Sequence, residues 1–243
     1  MDCFSRCSRH VCSVSARLCV GIITEISGGE FILYAGLVPY HTACQMHCLF
    51  FDIAGHTATF AVVGEENVLS FLSVEGTVTD DALPSHVEAV LRDAGVKYED
   101  LTCVACVVGP GGFTSLRVAV TFANVLSSQL DIPLAGLHLS DVLKARVRDE
   151  TALWIHSTKK EEVFVRDSRK WPEPTCVSLN DALQEAADAS GWYGELIPDH
   201  AKAMEEIGVP ATPLLPAEHT LPSLLSSLSY HKESVLPWYG RGW

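Results

Sequence analysis

The sequence predicts an α/β protein in which a mixed β-sheet carries helices on its faces. Three short apolar segments follow one another between residues 47 and 74, and a turn separates each from the next. After residue 81, segments of helical and strand periodicity alternate. A meander followed by such alternation builds a mixed sheet that helices cover. The chain has 243 residues, of which 48% are hydrophobic, so it can bury a full core in one or two domains.

The first three strands are predicted from their composition and from the turns between them. Residues 47–53 (HCLFFDI) form a short apolar and aromatic run, which is typical of a buried strand. Residues 57–63 (TATFAVV) are rich in β-branched side chains, and residues 68–74 form the third strand. Turn-forming residues at 55–56 and 64–67 complete the meander.

An amphipathic helix is predicted to begin near Asp81 and to end at Gly95, where a left-handed C-cap residue belongs. Residues 101–108 (LTCVACVV) then form an unbroken apolar run of strand length, which suits a strand covered on both faces. The apolar residues of the helix recur at the spacing of one helix face; they are Leu83, Val87, Val90 and Leu91.

A glycine-rich segment, residues 109–117, links that strand to a second helix that continues to about residue 130. Thr114 or Ser115 is expected to cap this helix, whose inner stripe is rich in small residues. The remaining predicted elements are a strand over 132–137, a helix over 140–148, a hairpin of 152–157 and 161–166, a helix over 178–189, a strand over 192–197, and helices over 199–207 and 221–230.

Charge and cysteine usage exclude several classes of protein. The chain has 30 acidic and 17 basic residues and a net charge of −13, which argues against binding nucleic acid through its overall field. No uninterrupted apolar run approaches the roughly 20 residues that span a bilayer, so no membrane segment is predicted. Nine cysteines at irregular spacing do not form a disulfide framework. Free thiols fit a reducing compartment, and we expect a cytoplasmic protein.

Residues 1–45 differ in kind from the rest of the chain. They hold three acids, three bases and five of the nine cysteines, without clear strand alternation or a capped helix. Met46 opens the first clean strand pattern, so we expect it to be the translation start and residues 1–45 to be an upstream extension. A targeting segment and a genuine structural extension are the alternatives.

Two features leave more than one interpretation open. Glycines between a buried strand and a helix let the backbone approach a phosphate, or let it pack against another backbone. The glycine-rich segment lacks the Gly-Lys-Ser/Thr ending of a Walker loop. Asp52, at the end of the first strand, is either part of a nucleotide site or a turn-capping residue.

The spacing of residues shows no catalytic or metal-binding motif. No histidine lies four residues from another, so neither HxxxH nor HExxH occurs. Cys103 and Cys106 lie three residues apart in a predicted strand, which places their side chains on opposite faces. The Gly-x-Ser-x-Gly motif of serine hydrolases is also missing. We therefore predict no catalytic residue and no metal ligand.

The glycine-rich segment resembles the signature Gly-Pro-Gly-Ser-Phe-Thr-Gly-Leu-Arg of the TsaB (YeaZ) family. Seven of the nine positions match, with Gly112 in place of serine and Ser115 in place of glycine. Weaker similarities to the family support the resemblance at residues 131–137, 162–164 and 237–241. The signature-loop residues are Gly109, Pro110, Gly111, Gly112, Phe113, Thr114 and Arg117.

The resemblance implies an ASKHA fold, the ribonuclease H-like architecture of actin and Hsp70. It divides the chain into the extension (1–45), a full N-terminal lobe (46–150) and a reduced C-terminal lobe (151–243). It also implies a role in making threonylcarbamoyladenosine at adenosine 37 of tRNA. In that family TsaB is not the catalyst but the partner of the transferase TsaD, and the ATPase TsaE joins them. ATP is then used by the complex and no cofactor is bound by this chain alone; a homodimer in isolation is a further expectation.

The chain departs from the family near Asp52. Ala54 and Gly55 replace Thr and Ser, which removes hydroxyl groups that could hold phosphate. We therefore expect no tight ATP site, with Asp52 as the vestige of one. The enzyme alternatives are a small ASKHA-fold ATPase or phosphotransferase that uses Asp52 and the glycine-rich turn, and a glycoprotease-like hydrolase.

Partner binding is expected on the two helices of the N-terminal lobe. Their apolar and small-residue stripes could pack side by side, and two such pairs would form a four-helix interface. The alternative is that the chain's own sheet buries these stripes. The predicted interface residues are Leu83, Val87, Val90, Leu91, Ala119, Ala123 and Ser127.

Overall fold

A five-stranded mixed sheet organises the first part of the computed structural model, which describes residues 45–240. Its elements are β1 (Cys48–Asp52), β2 (Thr57–Val63), β3 (Val68–Glu75), α1 (Leu83–Ala94), a short 3₁₀ helix (Tyr98–Asp100), β4 (Cys103–Gly109), α2 (Phe113–Leu130), β5 (Leu134–His138) and α3 (Leu139–Lys144). The strand order is β3-β2-β1-β4-β5. β1 pairs antiparallel with β2 and parallel with β4, so the meander forms one edge of the sheet and the parallel strands the other.

A second sheet of four strands follows in the chain, in the order β8-β7-β6-β9. Its pairings are antiparallel, except that β9 runs parallel to β6. The elements of this part are β6 (Leu153–Ser157), β7 (Glu162–Arg166), β8 (Thr175–Ser178), α4 (Leu179–Ala186), β9 (Trp192–Tyr193), α5 (Pro198–Glu206) and α6 (Ala217–Ser226).

Side chains of β1 alternate between two apolar cores, as the two-residue period of a strand requires. Leu49 and Phe51 pack in the core that α1 and α2 cover, whereas Phe50 packs on the opposite face with α3 and α6. Cys103 and Cys106 likewise fall into different cores, which confirms that they face opposite sides of β4. Helices on both faces of a mixed sheet confirm the predicted ASKHA architecture.

The end of the chain returns to the first sheet. The predicted boundary near residue 150 lies between α3 and β6, but α6 packs in the same core as Phe50. The segment that follows α6 also contacts the first sheet, because His231 forms an isolated antiparallel bridge with Leu134 of β5. Residues 45–240 therefore form one compact unit in which the two sheets share a core.

Several element ends differ from the prediction. Gly112 caps α2 without a side-chain hydrogen bond, because the helix already begins at Phe113 and places Thr114 and Ser115 inside its first turn. β8 was not predicted, since the prolines before it indicate a loop. β9 has two residues instead of six, and α6 begins at Ala217 rather than Leu221.

The predicted extension, residues 1–45, lies outside the described residues except for Gln45. That Met46 is the translation start remains a prediction. Among the described helices, none combines the length and apolar character that crossing a membrane requires.

Candidate functional site

The signature loop is a point where three stretches of backbone meet. Gly109 has a φ of 149°, and a side-chain carbon there would overlap the carbonyl oxygen of Trp238. A side-chain carbon at Gly111 would lie 2.6 Å from the carbonyl oxygen of Ala54. A carbon at Gly112 would meet nothing closer than 3.5 Å. Two of the glycines therefore allow close backbone packing, which favours the interpretation of this segment as a structural turn.

The C-terminal segment docks on this loop. The backbone N–H of Trp238 donates to the carbonyl oxygen of Val108 at 2.8 Å. The ring of Phe113 stacks on Tyr239 with 4.9 Å between centroids, and the Arg117 guanidinium lies over the Phe113 ring. The two sequence motifs at residues 109–117 and 237–241, which are more than a hundred residues apart, are therefore brought together by the fold.

Asp52 closes the turn between β1 and β2. Its Oδ1 accepts a hydrogen bond from the backbone N–H of Ala54 at 2.8 Å, which is the turn-capping role weighed for it. Burial raises the pKa of Asp52 to about 7; the bond from Ala54 opposes this rise and the negative charge of Glu195 adds to it. The carboxyl is therefore tied to the chain's own backbone.

Three side chains converge beside this turn. His56 lies in the turn itself, His156 lies on β6, and Glu195 follows β9. One potential ligand atom from each lies within 4.8 Å of the other two. The backbone N–H of His56 donates to Oε2 of Glu195 at 2.7 Å, and the same Oε2 lies 3.8 Å from Nδ1 of His156.

The path of the chain after β9 explains why Glu195 reaches this place. The backbone N–H of Ser157 donates to the carbonyl oxygen of Glu195 at 2.9 Å, which continues the pairing of β6 with β9. At Gly194, with a φ of 132°, a side-chain carbon would overlap the carbonyl oxygen of Ile155. Glycine thus lets the chain run directly against β6 and deliver Glu195 to the turn.

His156 is the buried member of the group. Its side chain is 1% exposed, and burial, with a smaller effect of His56, lowers its pKa to about 3. Among the described residues, Nδ1 of His156 has no hydrogen-bond partner. Spacing along the sequence could not reveal this group, because its members are 39 to 139 residues apart and come from both sheets.

A serine–histidine pair lies next to this group. Ser157 Oγ and His200 Nδ1 are 2.8 Å apart, and His200 Nε2 donates to the carbonyl oxygen of Lys160 at 2.7 Å. Both Ser157 and His200 are only 1% exposed, so a substrate could not reach the hydroxyl. The pair therefore serves packing, and it gives no support to a hydrolase.

The residues predicted to form the partner interface do not lie at the surface of the chain. All seven predicted residues are buried within the chain. Six of them pack in the core beneath the first sheet's helices, and Ser127 is buried in the last turn of α2, where its hydroxyl donates to the carbonyl oxygen of Ile132. The helical periodicity that suggested an interface is produced by burial on the sheet. The exposed faces of these helices carry other residues, namely Ser85, Glu88 and Arg92 on α1, and Thr121, Val125 and Gln129 on α2.

Comparison with known proteins places these features in a family. The family model TsaD, tRNA N6-adenosine threonylcarbamoyltransferase, matches residues 80–215, which is more than half of the chain. The tRNA threonylcarbamoyladenosine biosynthesis protein TsaB of Bacillus subtilis (strain 168) is 30% identical over 107 residues, covering 42% of this chain and 45% of that protein. A tRNA N6-adenosine threonylcarbamoyltransferase of Limosilactobacillus fermentum is 27% identical over 169 residues, or 64% and 48% of the two chains.

A solved structure agrees with this match at the level of the fold. A Pseudomonas aeruginosa protein described as similar to the peptidase YeaZ superposes with a TM-score of 0.61 and 20% identity, covering 81% of this chain and all of that one. The aligned part spans about half the length of the curated relatives. This chain belongs to the TsaD family, and the relatives that it resembles within this comparison include TsaB proteins.

Proposed function

We propose that the chain is a TsaB-type subunit that binds and activates a TsaD-like transferase, which makes threonylcarbamoyladenosine at adenosine 37 of tRNA. The family match and the name of the Bacillus subtilis relative support this role. The observation that carries it is the pair of helices α1 and α2, which cover one face of the first sheet and turn their other sides to solvent.

The docking face is the outer side of these helices rather than the predicted stripes. Val125 on α2 is 55% exposed, and the half-buried Phe122 and Leu126 lie beside it on the same helix. An equivalent helix pair from a paralogous subunit would cover this apolar strip and form a four-helix interface. In the isolated chain the same face would pair with a second copy, which gives a homodimer that competes with the transferase.

One charge on this face tests the interface. Val125→Glu places a carboxylate at the centre of the strip, so co-purification with the transferase should be lost while the melting temperature stays near that of the wild type. Ile207→Glu is the matched control, because Ile207 is also a β-branched, exposed residue at 39% but follows α5 beside the second sheet. If Val125→Glu still binds the transferase as the wild type does, the assignment of this face is wrong.

Binding of ATP by this chain is disfavoured by the turn after β1. The backbone N–H of His56, which a phosphate would need as a donor, is bonded to the Glu195 carboxylate. Gly55 brings no hydroxyl, and a side-chain carbon there would lie 2.7 Å from that carboxylate. Because Glu195 already takes up this donor, the turn does not favour a nucleotide phosphate.

We therefore propose that ATP is consumed by a TsaE-like ATPase in the complex. Calorimetric titration of the chain with Mg-ATP should show no binding in the micromolar range. Micromolar binding would instead favour the alternative of an ASKHA-fold phosphotransferase that uses Asp52 and the signature loop.

The activity itself is tested by reconstitution. The transferase from the same genome should modify tRNA with the TsaE-like ATPase and this chain present, and lose most of that activity when this chain is left out. The Ile207→Glu protein should restore modification, whereas Val125→Glu should not. Full modification without this chain would refute the proposed role.

A further inference from the structure

The group formed by His56, His156 and Glu195 is not used by the proposed partner role. It lies beside the turn after β1, at the junction of the two sheets, whereas α1 and α2 lie on the opposite face of the first sheet. We propose that these three residues bind one divalent transition-metal ion, with Zn²⁺ as the best match to two imidazoles and one carboxylate.

The spacing of the donor atoms suits a single ion. Ligand atoms about 2.1 Å from a tetrahedral zinc ion lie about 3.4 Å apart. Oε2 of Glu195 and Nδ1 of His156 are 3.8 Å apart, and all three donors lie within 4.8 Å of one another. Glu195 is only half-buried, so its side chain can close the remaining distance.

An independent observation points into the same space. His156 is 1% exposed, and its Nδ1 has no hydrogen-bond partner among the described residues. A buried polar atom without a partner destabilises the folded chain, so such atoms normally have a protein, water or ion partner. Here the nearest anionic atom is Oε2 of Glu195, which already accepts the N–H of His56. A cation between them would satisfy both groups.

The surroundings hold the ligands in place. The ring of His56 is fixed by a hydrogen bond from Nε2 to the carbonyl oxygen of Ser157 at 3.2 Å. Hydrogen bonds of this kind orient metal-binding imidazoles. The ion would join the turn after β1 to β6 and to the segment after β9, and would so fasten the two sheets together.

The site differs in construction from a one-helix His-x-x-x-His motif, which the sequence lacks. Two of its ligands lie in turns or strand ends and the third on a central strand, β6. Three protein ligands leave one position of a tetrahedral ion open for water. We infer that water takes this fourth position and that the ion acts on the stability of the chain, because its ligands come from segments that belong to both sheets.

Metal content and zinc affinity of the full chain test the site. After dialysis against a chelator, the wild type is titrated with ZnCl₂ and bound zinc is counted by mass spectrometry of the metal. His56→Gln keeps an amide donor for the Ser157 carbonyl but removes a ligand. We expect this variant to bind one zinc ion fewer per chain than the wild type, and to lose the zinc-dependent rise in melting temperature.

Matched variants separate this site from other zinc-binding residues of the chain. Glu195→Gln keeps an acceptor for the His56 N–H and should also lose one ion, with an affinity loss beyond the roughly 10- to 100-fold that outer-shell changes cause. His219→Gln, an exposed histidine on α6, should bind zinc as the wild type does. Equal zinc stoichiometry and affinity in the wild type, His56→Gln and Glu195→Gln would overturn the proposal. Since neither variant touches α1 or α2, transferase binding should persist in both.

Discussion

Replacing Asp52 by asparagine should make the stability of the protein depend on pH in a defined way. Asp52 is buried at the end of β1, and its pKa in the folded chain is about 7 against 3.8 for an ordinary aspartate. Between these values the folded chain keeps its proton and the unfolded chain loses it. The contribution of Asp52 to stability is therefore complete below about pH 4 and declines until the pH passes about 7.

The size of the effect follows from the same two values. Each unit of pKa difference between folded and unfolded chain corresponds to about 1.4 kcal/mol. The rise from 3.8 to about 7 then costs the wild type about 4 kcal/mol above pH 7. Asparagine has no proton to lose and keeps an oxygen that accepts the Ala54 N–H. Asp52→Asn should therefore match the wild type near pH 4 and exceed it by up to about 4 kcal/mol at pH 8.

Urea unfolding of both proteins at several pH values, with chelator present, measures this difference. His156, whose pKa burial lowers to about 3, acts in the opposite direction over the same pH interval. Its contribution is common to both proteins and cancels when they are subtracted. Asp93→Asn, at an exposed position on α1, is the control and should stay within about 0.5 kcal/mol of the wild type throughout. A constant difference between Asp52→Asn and the wild type across this range would refute the reasoning.

Three further predictions concern the core and the C-terminal segment. Gly109→Ala should lower the free energy of unfolding by more than about 2 kcal/mol in thermal unfolding, because the added methyl group would overlap the carbonyl oxygen of Trp238. Gly112→Ala has room for the methyl group and should stay within about 1 kcal/mol of the wild type. Equal effects of the two substitutions would contradict the close contact. Burial raises the pKa of the Cys106 thiol to about 12, so iodoacetamide at pH 8 should leave this thiol unmodified. The half-buried Cys176 should react, and peptide mass spectrometry would measure both sites. Equal labelling of the two cysteines would contradict this prediction. Asn124→Ala removes two hydrogen bonds to the backbone of Val235 and should lower the free energy of unfolding by about 1–3 kcal/mol. Hydrogen exchange should then show faster exchange of backbone amides in the C-terminal segment. Unchanged exchange would contradict the docking of this segment on α2.

Local sequence patterns predicted most of the first sheet. The apolar run of β4, the β-branched run of β2 and the C-cap at Gly95 each depend on neighbouring residues alone, and the structure confirms them. The second sheet was predicted less well, since β9 is two residues long and β8 follows a proline-rich loop. Such short strands exist because a neighbouring strand pairs with them, and their own composition carries little signal.

The helix stripes show where periodicity is ambiguous. A stripe of apolar residues predicts that one face of a helix is buried, but it does not say by what. Ala123 and Ser127 are predicted to meet a partner, but the structure buries both within the chain. Only the placement of α2 on the sheet shows that Val125, on the other side, faces outward.

The sequence by itself determined the α/β class, the position of the signature loop and the family resemblance, because each of these resides in a continuous stretch of chain. The tertiary structure decided which groups meet. It brought Gly109 against the backbone of Trp238, and it placed His56, His156 and Glu195 around one point. These contacts join residues far apart in the chain through the parallel pairing of β6 with β9 and the return of the C-terminal segment to β4. Spacing along a sequence carries no record of such distances, so a site of this kind is visible only once the chain is folded.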